Sequence, residues 1–344
     1  MARIIRVLIC DDSPLVRQIL RSVFDADPQI EVVGVAENPL VARELIKQHN
    51  PDVLTLDIEM PEMDGLSFLE KIMTLRPMPV VMISSLTQRG TAQSLRALEM
   101  GVCDVIGKPT VDLQTNFVAM SQEILSKVKI AAGARVRAPS RLNKRMSNIV
   151  RGRSTVKLIA IGASTGGVAA IKDVLPLLPA TMPPILLVQH MPVAYTSGFA
   201  DRMNDGAKLN VVESKDGMEL KVGTVVLAHG GYHSRVINRG NRLVIEHGED
   251  DEVSGHKPSV DAAFESIAEN VTGKVISVIM TGMGRDGARG MLSIRRNGGI
   301  TIGQSEESCV VYGMPRIAKE VGGVEHEVSL SKIASTLESF CWPK

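Results

Sequence analysis

Short apolar runs alternate with amphipathic helical patterns along the first part of the chain, up to about residue 125. Between the runs, apolar residues recur at helical spacing, which predicts helices that bury one face. Strands that alternate with helices form βαβ units and a parallel sheet. The pattern therefore predicts an α/β domain over residues 1–130, with five parallel strands at Val7–Cys10, Val32–Ala36, Val53–Leu56, Pro79–Ile83 and Asp104–Ile106.

The same alternation resumes over residues 154–344. Two runs, Arg235–Ile237 and Arg242–Glu246, flank the sequence NRGN, which is typical of a β-hairpin. We predict a doubly wound α/β domain that carries this hairpin. Its other predicted strands are Lys157–Ile161, Ile185–Gln189, Thr224–Ala228 and Val275–Met280.

Residues 131–153 interrupt the alternation with seven Lys or Arg residues and no acidic residue. Small residues, Gly and Pro indicate a flexible basic linker between the two domains. A docking site for acidic partners or DNA is the alternative, with the RGR sequence at Arg151–Arg153 entering a minor groove.

Composition narrows the classes of function. The net charge is +1 and aromatic residues make up only 3% of the chain, which argues against nucleic-acid binding. The four cysteines form no C-x-x-C pair, so a reducing compartment fits and a disulfide framework or zinc site does not. Neither a signal peptide nor an apolar stretch of about 20 residues appears. We expect a cytoplasmic protein that does not insert into a membrane.

Five polar residues follow the predicted strands of the first domain. Asp11 and Asp12 end the first strand, Asp57 the third and Ser84 the fourth, while Lys108 follows the fifth. Ligands of parallel α/β sheets bind beyond the carboxyl ends of the strands, so these side chains should share one crevice. Carboxylates there suit Mg²⁺, and a lysine would stabilise a phosphoryl group on Asp57. Simple helix capping by Asp11 and Asp12 is the alternative, but it leaves Asp57 and Lys108 unexplained.

These residues resemble the response-regulator receiver family, through the motifs LICDDS, LDIEMPEMDG, MISSLT and IGKP over residues 5 to about 125. The resemblance implies a flavodoxin-like fold and phosphorylation of Asp57 by a partner histidine kinase. It further implies Mg²⁺ bound by Asp12, by Asp11 through water, by Asp57 and by the Glu59 main-chain carbonyl. Ser84 and Lys108 would contact the phosphoryl group.

A second constellation opens the C-terminal domain. Gly162–Gly166 reads G-x-S-x-G between a predicted strand and helix, which lifts the Ser164 hydroxyl above the sheet. The helix that follows favours negative charge, and its first N–H groups, Thr165 foremost, could stabilise an oxyanion. Two alternatives are a dinucleotide-binding loop, whose glycine spacing and later acid do not match, and a tight turn without chemistry.

A serine nucleophile needs a base and a group that orients the base. His190 follows the strand after Ser164, and Asp286 lies in a Gly-rich loop after a later apolar strand. Either residue alone is more often structural. All three, however, lie just beyond the carboxyl ends of predicted strands, where such a sheet places its active site. The order Ser, His, Asp differs from that of α/β-hydrolases, which indicates a separate fold lineage.

The chain as a whole resembles the chemotaxis protein-glutamate methylesterase and glutamine deamidase family, through IGASTGG, VQHMP, MTGMGRDGA and EESCVVYGMPRIA. The resemblance implies that Ser164, His190 and Asp286 are catalytic, with oxyanion donors at the main chain of Thr165 and near Met283. It implies γ-glutamyl methyl esters on cytoplasmic chemoreceptor helices as substrate, and an unphosphorylated receiver that covers the hydrolase site. We expect no cofactor for the hydrolase and a monomeric chain.

Two other classes of function remain open from the sequence. One is a non-enzymatic response regulator whose C-terminal half binds a partner or DNA, although that half has mixed charge and a strand-rich pattern. The other is a metallohydrolase using His229 and His233, although a Gly-rich turn separates them and no H-E-x-x-H is present. The sequence assigns no role to His233, His256 or Cys309.

Overall fold

The computed structural model describes residues 3–60, 64–85, 88–108, 119–136, 152, 154–240 and 242–343. The chain divides into two compact units, Met1–Ser140 and Arg141–Lys344. Most of the predicted basic linker, including Arg151 and Arg153, lies outside the described residues. The predicted domain limits at residues 130 and 153 therefore stay a prediction.

The first unit alternates strands and helices around one parallel sheet. Its strand order is β2-β1-β3-β4-β5, the order of flavodoxin-like folds, which confirms the predicted fold class. The elements are β1 (Ile5–Cys10), α1 (Pro14–Asp25), β2 (Ile30–Ala36), α2 (Pro39–His49), β3 (Val53–Asp57), α3 (Gly65–Leu75), β4 (Val80–Ser85), α4 (Gln88–Glu99), β5 (Asp104–Lys108) and α5 (Ser121–Ala132).

Helix α1 shows how the sequence places the acidic end of β1. Ser13 caps the helix, because its hydroxyl accepts the N–H of Val16, and Pro14 occupies the first helical position, where no N–H is needed. The helix then buries one aliphatic face against the sheet, at Val16, Ile19, Leu20, Val23 and Phe24. Asp11 and Asp12 are thus fixed in the short turn between strand and helix.

The second unit is a doubly wound domain with a seven-stranded parallel sheet of order β14-β13-β12-β6-β7-β9-β8. Its strands are β6 (Val156–Ala163), β7 (Ile185–Gln189), β8 (Asn210–Glu213), β9 (Thr224–Leu227), β10 (His233–Arg239), β11 (Arg242–Gly248), β12 (Lys274–Ile279), β13 (Ile300–Gln304) and β14 (His326–Val328). Its α-helices are α6 (Gly167–Val174), α7 (Val193–Gly206), α8 (Val260–Asn270), α9 (Ala288–Arg296), α10 (Met314–Glu320) and α11 (Leu330–Cys341).

Strand β6 lies where the winding of this sheet reverses. The chain passes from β6 to β7 on one side and later returns through β12 on the other. Such a reversal opens a crevice at the carboxyl ends of the strands, which is the usual ligand site of a doubly wound sheet. Ser164 follows β6 directly, so it stands at this crevice.

The predicted hairpin is confirmed as the antiparallel pair β10–β11. The pairing of Arg239 with Arg242 makes its turn shorter than the four residues of NRGN, since Asn238 and Arg239 belong to β10. Strands β8, β13 and β14 were not predicted. They are short, and all lie in the outer part of the sheet.

Both cores are built mainly from aliphatic side chains, as the low aromatic content predicts. No helix within the described ranges is both long and apolar enough to cross a membrane.

Candidate active site

The first unit brings together four of its predicted site residues at the carboxyl edge of its sheet. Lys108 Nζ lies 2.6 Å from Asp57 Oδ2 and 2.9 Å from Asp11 Oδ2, and both carboxylates are buried. Asp12 is exposed beside them, and ligand atoms of Asp11, Asp12 and Asp57 all lie within 4.8 Å of one another. The sheet therefore assembles a compact group of three carboxylates and one ammonium.

This group carries surplus negative charge. Burial, together with the charge of Asp11, raises the pKa of Asp57 to about 6 despite the opposing effect of Lys108. Burial also raises the pKa of Asp11. The two carboxylates outweigh burial at Lys108, whose pKa is raised. A hard divalent cation would offset the surplus charge with the oxygen ligands that it prefers, so the residues present fit such an ion.

The remaining predicted residues of this edge lie close by. Ser84 is buried in β4 and pairs in register with Gly107, next to Lys108. The main-chain N–H of Glu59 donates to Asp57 Oδ1 at 3.3 Å. No sequence pattern pointed to Arg17, whose Nη1 donates to the Asp11 and Asp12 carbonyls at 2.8 and 2.9 Å. Arg17 thereby links α1 to the turn that contains Asp11 and Asp12, called the acidic turn below.

In the second unit, Ser164 lies in the turn between β6 and α6. Its N–H donates to the Thr281 carbonyl at 3.0 Å, which joins this turn to the loop after β12. A Cβ on Gly282 would lie 2.7 Å from the Ser164 Cβ, so only glycine permits this approach. Gly166, with φ of +76°, makes the sharp turn into α6. Ser164 itself is half-buried at the opening.

His190 and Asp286 form a direct pair. His190 follows β7, and its N–H donates to the Ala163 carbonyl at 3.0 Å, which places its loop beside Ser164. Its Nε2 lies 2.7 Å from Asp286 Oδ2. Because a carboxylate accepts, Nε2 carries the hydrogen, and the lone pair of a neutral ring is on Nδ1.

Both carboxylate oxygens of Asp286 accept hydrogen bonds that hold the side chain in place. Oδ2 also accepts the Val260 N–H at 2.7 Å, while Oδ1 accepts the Ser259 hydroxyl at 2.7 Å and the Asp261 N–H at 2.9 Å. The buried carboxylate therefore sits on the N-terminus of α8, where free N–H groups favour an anion. Burial alone would raise its pKa, but the bond and charge of His190 and these donors hold the pKa below its ordinary value.

A serine and its base are expected to lie within hydrogen-bond reach, but Ser164 and His190 form no hydrogen bond in this structure. His190 Nδ1 is buried and has no hydrogen-bond partner in the parts of the chain that the structure describes. Catalytic hydrogen bonds are often long before substrate binds and tighten afterwards. Nδ1 is thus the ring nitrogen that is available to the serine.

The structure gives surroundings to the histidines and the cysteine that the sequence left without roles. His256 stacks on His190 with ring centroids 3.7 Å apart, and its pKa is lowered to about 4 by burial and by His190. His233 is buried and structural, since its Nδ1 accepts the Ser259 N–H and its Nε2 lies 2.9 Å from the Asp251 carbonyl. Cys309 is buried.

The metallohydrolase alternative gains no support from the geometry. His233 uses both ring nitrogens in the contacts above, and His229 Nδ1 contacts the Gly230 carbonyl. Among the described residues, Asp11, Asp12 and Asp57 form the only group of three or more acidic, His or Cys side chains with the spacing of a metal site.

Comparison with known proteins decides the family. The CheB methylesterase family model matches residues 159–337, and the response regulator receiver domain model matches residues 7–116. The chain belongs to the CheB methylesterase family. The protein-glutamate methylesterase/protein-glutamine glutaminase 1 of Caulobacter vibrioides is 49% identical over 97% of each chain. Protein 2 of that name from Pseudomonas aeruginosa is 46% identical, over 97% of this chain and 96% of its own.

A solved structure supports the same family assignment. The CheB methylesterase catalytic domain of Thermotoga maritima is 35% identical, with a TM-score of 0.52. The match covers 53% of this chain and 97% of that domain. The CheB-type domain therefore occupies the C-terminal unit, while the receiver domain precedes it.

Proposed function

We propose that this chain is a cytoplasmic protein-glutamate methylesterase and protein-glutamine glutaminase that phosphorylation activates. Its substrates are γ-glutamyl methyl esters and glutamine side chains on the cytoplasmic helices of chemoreceptors, so that it contributes to chemotactic adaptation. The observation that carries the proposal is the buried His190–Asp286 pair, whose free ring nitrogen belongs to a loop bonded to the Ser164 turn.

Ser164, His190 and Asp286 act as a catalytic triad in this proposal. His190 Nδ1 takes the proton of the Ser164 hydroxyl while Oγ attacks the ester carbonyl. The tetrahedral intermediate then collapses to an acyl-enzyme, and the Nδ1 proton leaves with methanol. Water attacks the acyl-enzyme by the same route and releases glutamate. Asp286 keeps Nε2 protonated and stabilises the imidazolium. A glutamine loses ammonia instead, after protonation of its nitrogen.

The oxyanion would be held by main-chain donors. Ser164 N–H is already engaged with Thr281, and Gly167 N–H donates to Ser164 O at 2.7 Å. The N–H groups of Thr165 and Met283 donate no hydrogen bond within the described part of the chain. Thr165 follows Ser164 directly, and Met283 follows Gly282, where an added Cβ would lie 2.7 Å from the Ser164 Cβ. We therefore assign these two N–H groups to the negative charge on the substrate oxygen.

The receiver domain would control the hydrolase through Asp57. A histidine kinase supplies the phosphoryl group. Asp12, Asp57, the Glu59 carbonyl and, through water, Asp11 would hold Mg²⁺, which would supply positive charge to offset that of the phosphoryl group. Lys108 and Ser84 contact the bound phosphoryl group. Phosphorylation then shifts the chain from a state in which the receiver inhibits the hydrolase to an active state. A non-enzymatic regulator is not favoured, because the comparisons match a methylesterase domain.

The triad is tested by Ser164→Ala in the full phosphorylated chain, with methanol release from methyl-esterified receptors as the readout. We expect kcat to fall by about 10⁶, by analogy with other triads. Ser335→Ala, an exposed serine on α11, is the matched control and should keep full activity. Near-normal activity of Ser164→Ala would contradict the proposal.

Regulation is tested separately, with a fragment of residues 154–344 and with Asp57→Asn. The fragment should be active without a phosphodonor. The full Asp57→Asn chain should stay at basal activity when a phosphodonor is added. A fragment no more active than the unphosphorylated chain would refute inhibition by the receiver and leave the triad untouched.

A further inference from the structure

Gln189, the last residue of β7, bonds to both loops that carry the proposed nucleophile and base. Its side chain is buried, with only 3% of the residue exposed. Nε2 donates to the Ser164 carbonyl at 3.0 Å and to the His190 carbonyl at 3.1 Å. We propose that Gln189 is a positioning residue, which aims the oxyanion donor of the Ser164 turn and fixes the base loop against it. This inference rests on the proposed function.

The chemistry of the carboxamide fixes its orientation. Two carbonyl oxygens face the amide, and only the NH₂ group offers two donors. Oε1 must then point away, and it is buried without a hydrogen-bond partner in the described part of the chain. A buried acceptor left unpaired costs free energy. The arrangement therefore keeps the two hydrogen bonds donated by Nε2 and leaves the acceptor Oε1 unpaired.

Gly167 makes room for this orientation. A Cβ on Gly167 would lie 2.1 Å from Gln189 Oε1 and 2.8 Å from the Ala163 Cβ. The second glycine of the T-G-G sequence thus has a spatial role, because it accommodates the oxygen that the two donor bonds turn away from the loops.

The bond to the Ser164 carbonyl also sets the direction of an N–H group. A peptide unit is planar and trans, so the carbonyl of Ser164 and the N–H of Thr165 point in opposite directions. Gln189 Nε2 and the Gly167 N–H, at 3.0 and 2.7 Å, both hold that carbonyl. The Thr165 N–H, the proposed oxyanion donor, is thereby aimed by Gln189 without touching it.

Loss of these two donors should affect the transition state more than substrate binding. In Gln189→Leu, we expect kcat to fall by about 10- to 100-fold, less than the roughly 10²–10³-fold of a deleted oxyanion donor. KM should stay within about two-fold, because the aimed N–H meets negative charge only in the transition state.

The pH dependence of kcat in Gln189→Glu distinguishes a positioning role from a merely structural one. A carboxylate facing two carbonyl oxygens repels them, whereas the protonated acid keeps one O–H donor. Burial favours the neutral form, which brings its titration towards measurable pH. The ratio of the kcat of Gln189→Glu to that of wild type should therefore rise as the pH is lowered. The corresponding ratio for Gln189→Leu should change less.

The experiment compares the full phosphorylated chains of wild type, Gln189→Leu, Gln189→Glu and Ser164→Ala across pH, with activity corrected for the folded fraction from thermal unfolding. Gln48→Leu, an exposed glutamine on α2, is the surface control. Reduced kcat at nearly unchanged KM, with acid rescue of the Glu variant, is the expected result. If Gln189→Leu fails to fold, the pH dependence of the kcat ratio between the isosteric Gln189→Glu variant and wild type still tests the proposal.

Wild-type kinetics in Gln189→Leu, a loss confined to KM, or a Glu variant whose kcat ratio does not vary with pH would overturn the proposal. Inactive Ser164→Ala alongside fully active Gln189→Leu would refute the positioning role alone. Activity in Ser164→Ala would instead refute the proposed function itself.

Discussion

His190 Nε2 lies 2.7 Å from the same Asp286 oxygen that accepts the first main-chain N–H of α8. The carboxylate thus joins the imidazole to a helix N-terminus, and it is buried while doing so. The orientation of His190, the proposed base, and the anchoring of α8 therefore depend on one side chain, so the proposal predicts that activity and stability are linked at this position.

Asp286→Asn should lower both quantities. We expect kcat to fall by about 10⁴, less than for Ser164→Ala, because an amide favours the wrong tautomer of His190. The free energy of unfolding should also fall, since an NH₂ group would face donors that the carboxylate now satisfies. Ester hydrolysis and denaturant unfolding measure the two effects. Asp201→Asn, exposed on α7, should change neither; unchanged activity of Asp286→Asn would contradict the assignment.

His256 predicts a pH-dependent loss of stability. Its pKa is about 4 in the folded chain, mainly through burial, against an ordinary value of 6.5. Between these values the unfolded state binds more protons, so stability falls as the pH falls from 6.5 to 4. Because His256 is partly exposed, solvent screening keeps the loss well below the roughly 3 kcal/mol that the full pKa difference would give. His256→Phe keeps a stacking ring that does not titrate. The difference in melting temperature between this variant and wild type should therefore shift in favour of the variant as the pH is lowered from 6.5 to 4. Melting temperatures of the two proteins that change in parallel with pH would contradict the prediction.

Magnesium should stabilise the chain through the acidic turn. A ligand that binds only the folded state adds about 2.7 kcal/mol at a concentration 100 times its Kd. We expect Mg²⁺ to raise the melting temperature, and its removal by chelation to abolish phosphorylation of Asp57 by a small phosphodonor. Asp12→Asn should weaken the thermal shift, whereas Asp25→Asn, exposed at the end of α1, should not. Equal shifts in both variants would argue against the site.

Gly167→Ala should perturb the active site through Gln189. The new methyl group would collide with Gln189 Oε1, and overpacking of this kind typically costs about 1–3 kcal/mol. Gly206→Ala is the matched control, because a Cβ there meets nothing within 4 Å. In a double-mutant cycle with Gln189→Ala, the two effects on kcat should be less than additive. Strict additivity would show that the two residues act independently.

The ends of the central strands could be predicted from the sequence, but much of their surroundings could not. Apolar runs locate β6, β7 and β12, and the parallel geometry then brings Ser164, His190 and Asp286 to one edge. Strands β8, β13 and β14 were not predicted, because strands of three to five residues in the outer part of the sheet show little hydrophobic periodicity.

Several contacts around the site had no signal in the sequence for a different reason. Ser259 caps α8 and bonds to Asp286, and His256 stacks on His190, yet both belong to a loop that leads into α8 from the hairpin. Gln189 and Arg17 act on main-chain carbonyls of other loops. Such contacts depend on how side chains meet across the folded domain, which spacing along the chain does not encode.

The placement of β6 between β7 and β12 has a consequence for synthesis on the ribosome. A chain that has emerged only as far as the hairpin contains Ser164 and His190, but it lacks β12 and Asp286. One edge of β6 is then unpaired, and the Thr281 carbonyl that receives the Ser164 N–H has not yet been made. If Asp286 acts as proposed, full esterase activity has to await the synthesis of β12 and the loop that follows it, by which time residues 7–116 of the receiver domain have long been made.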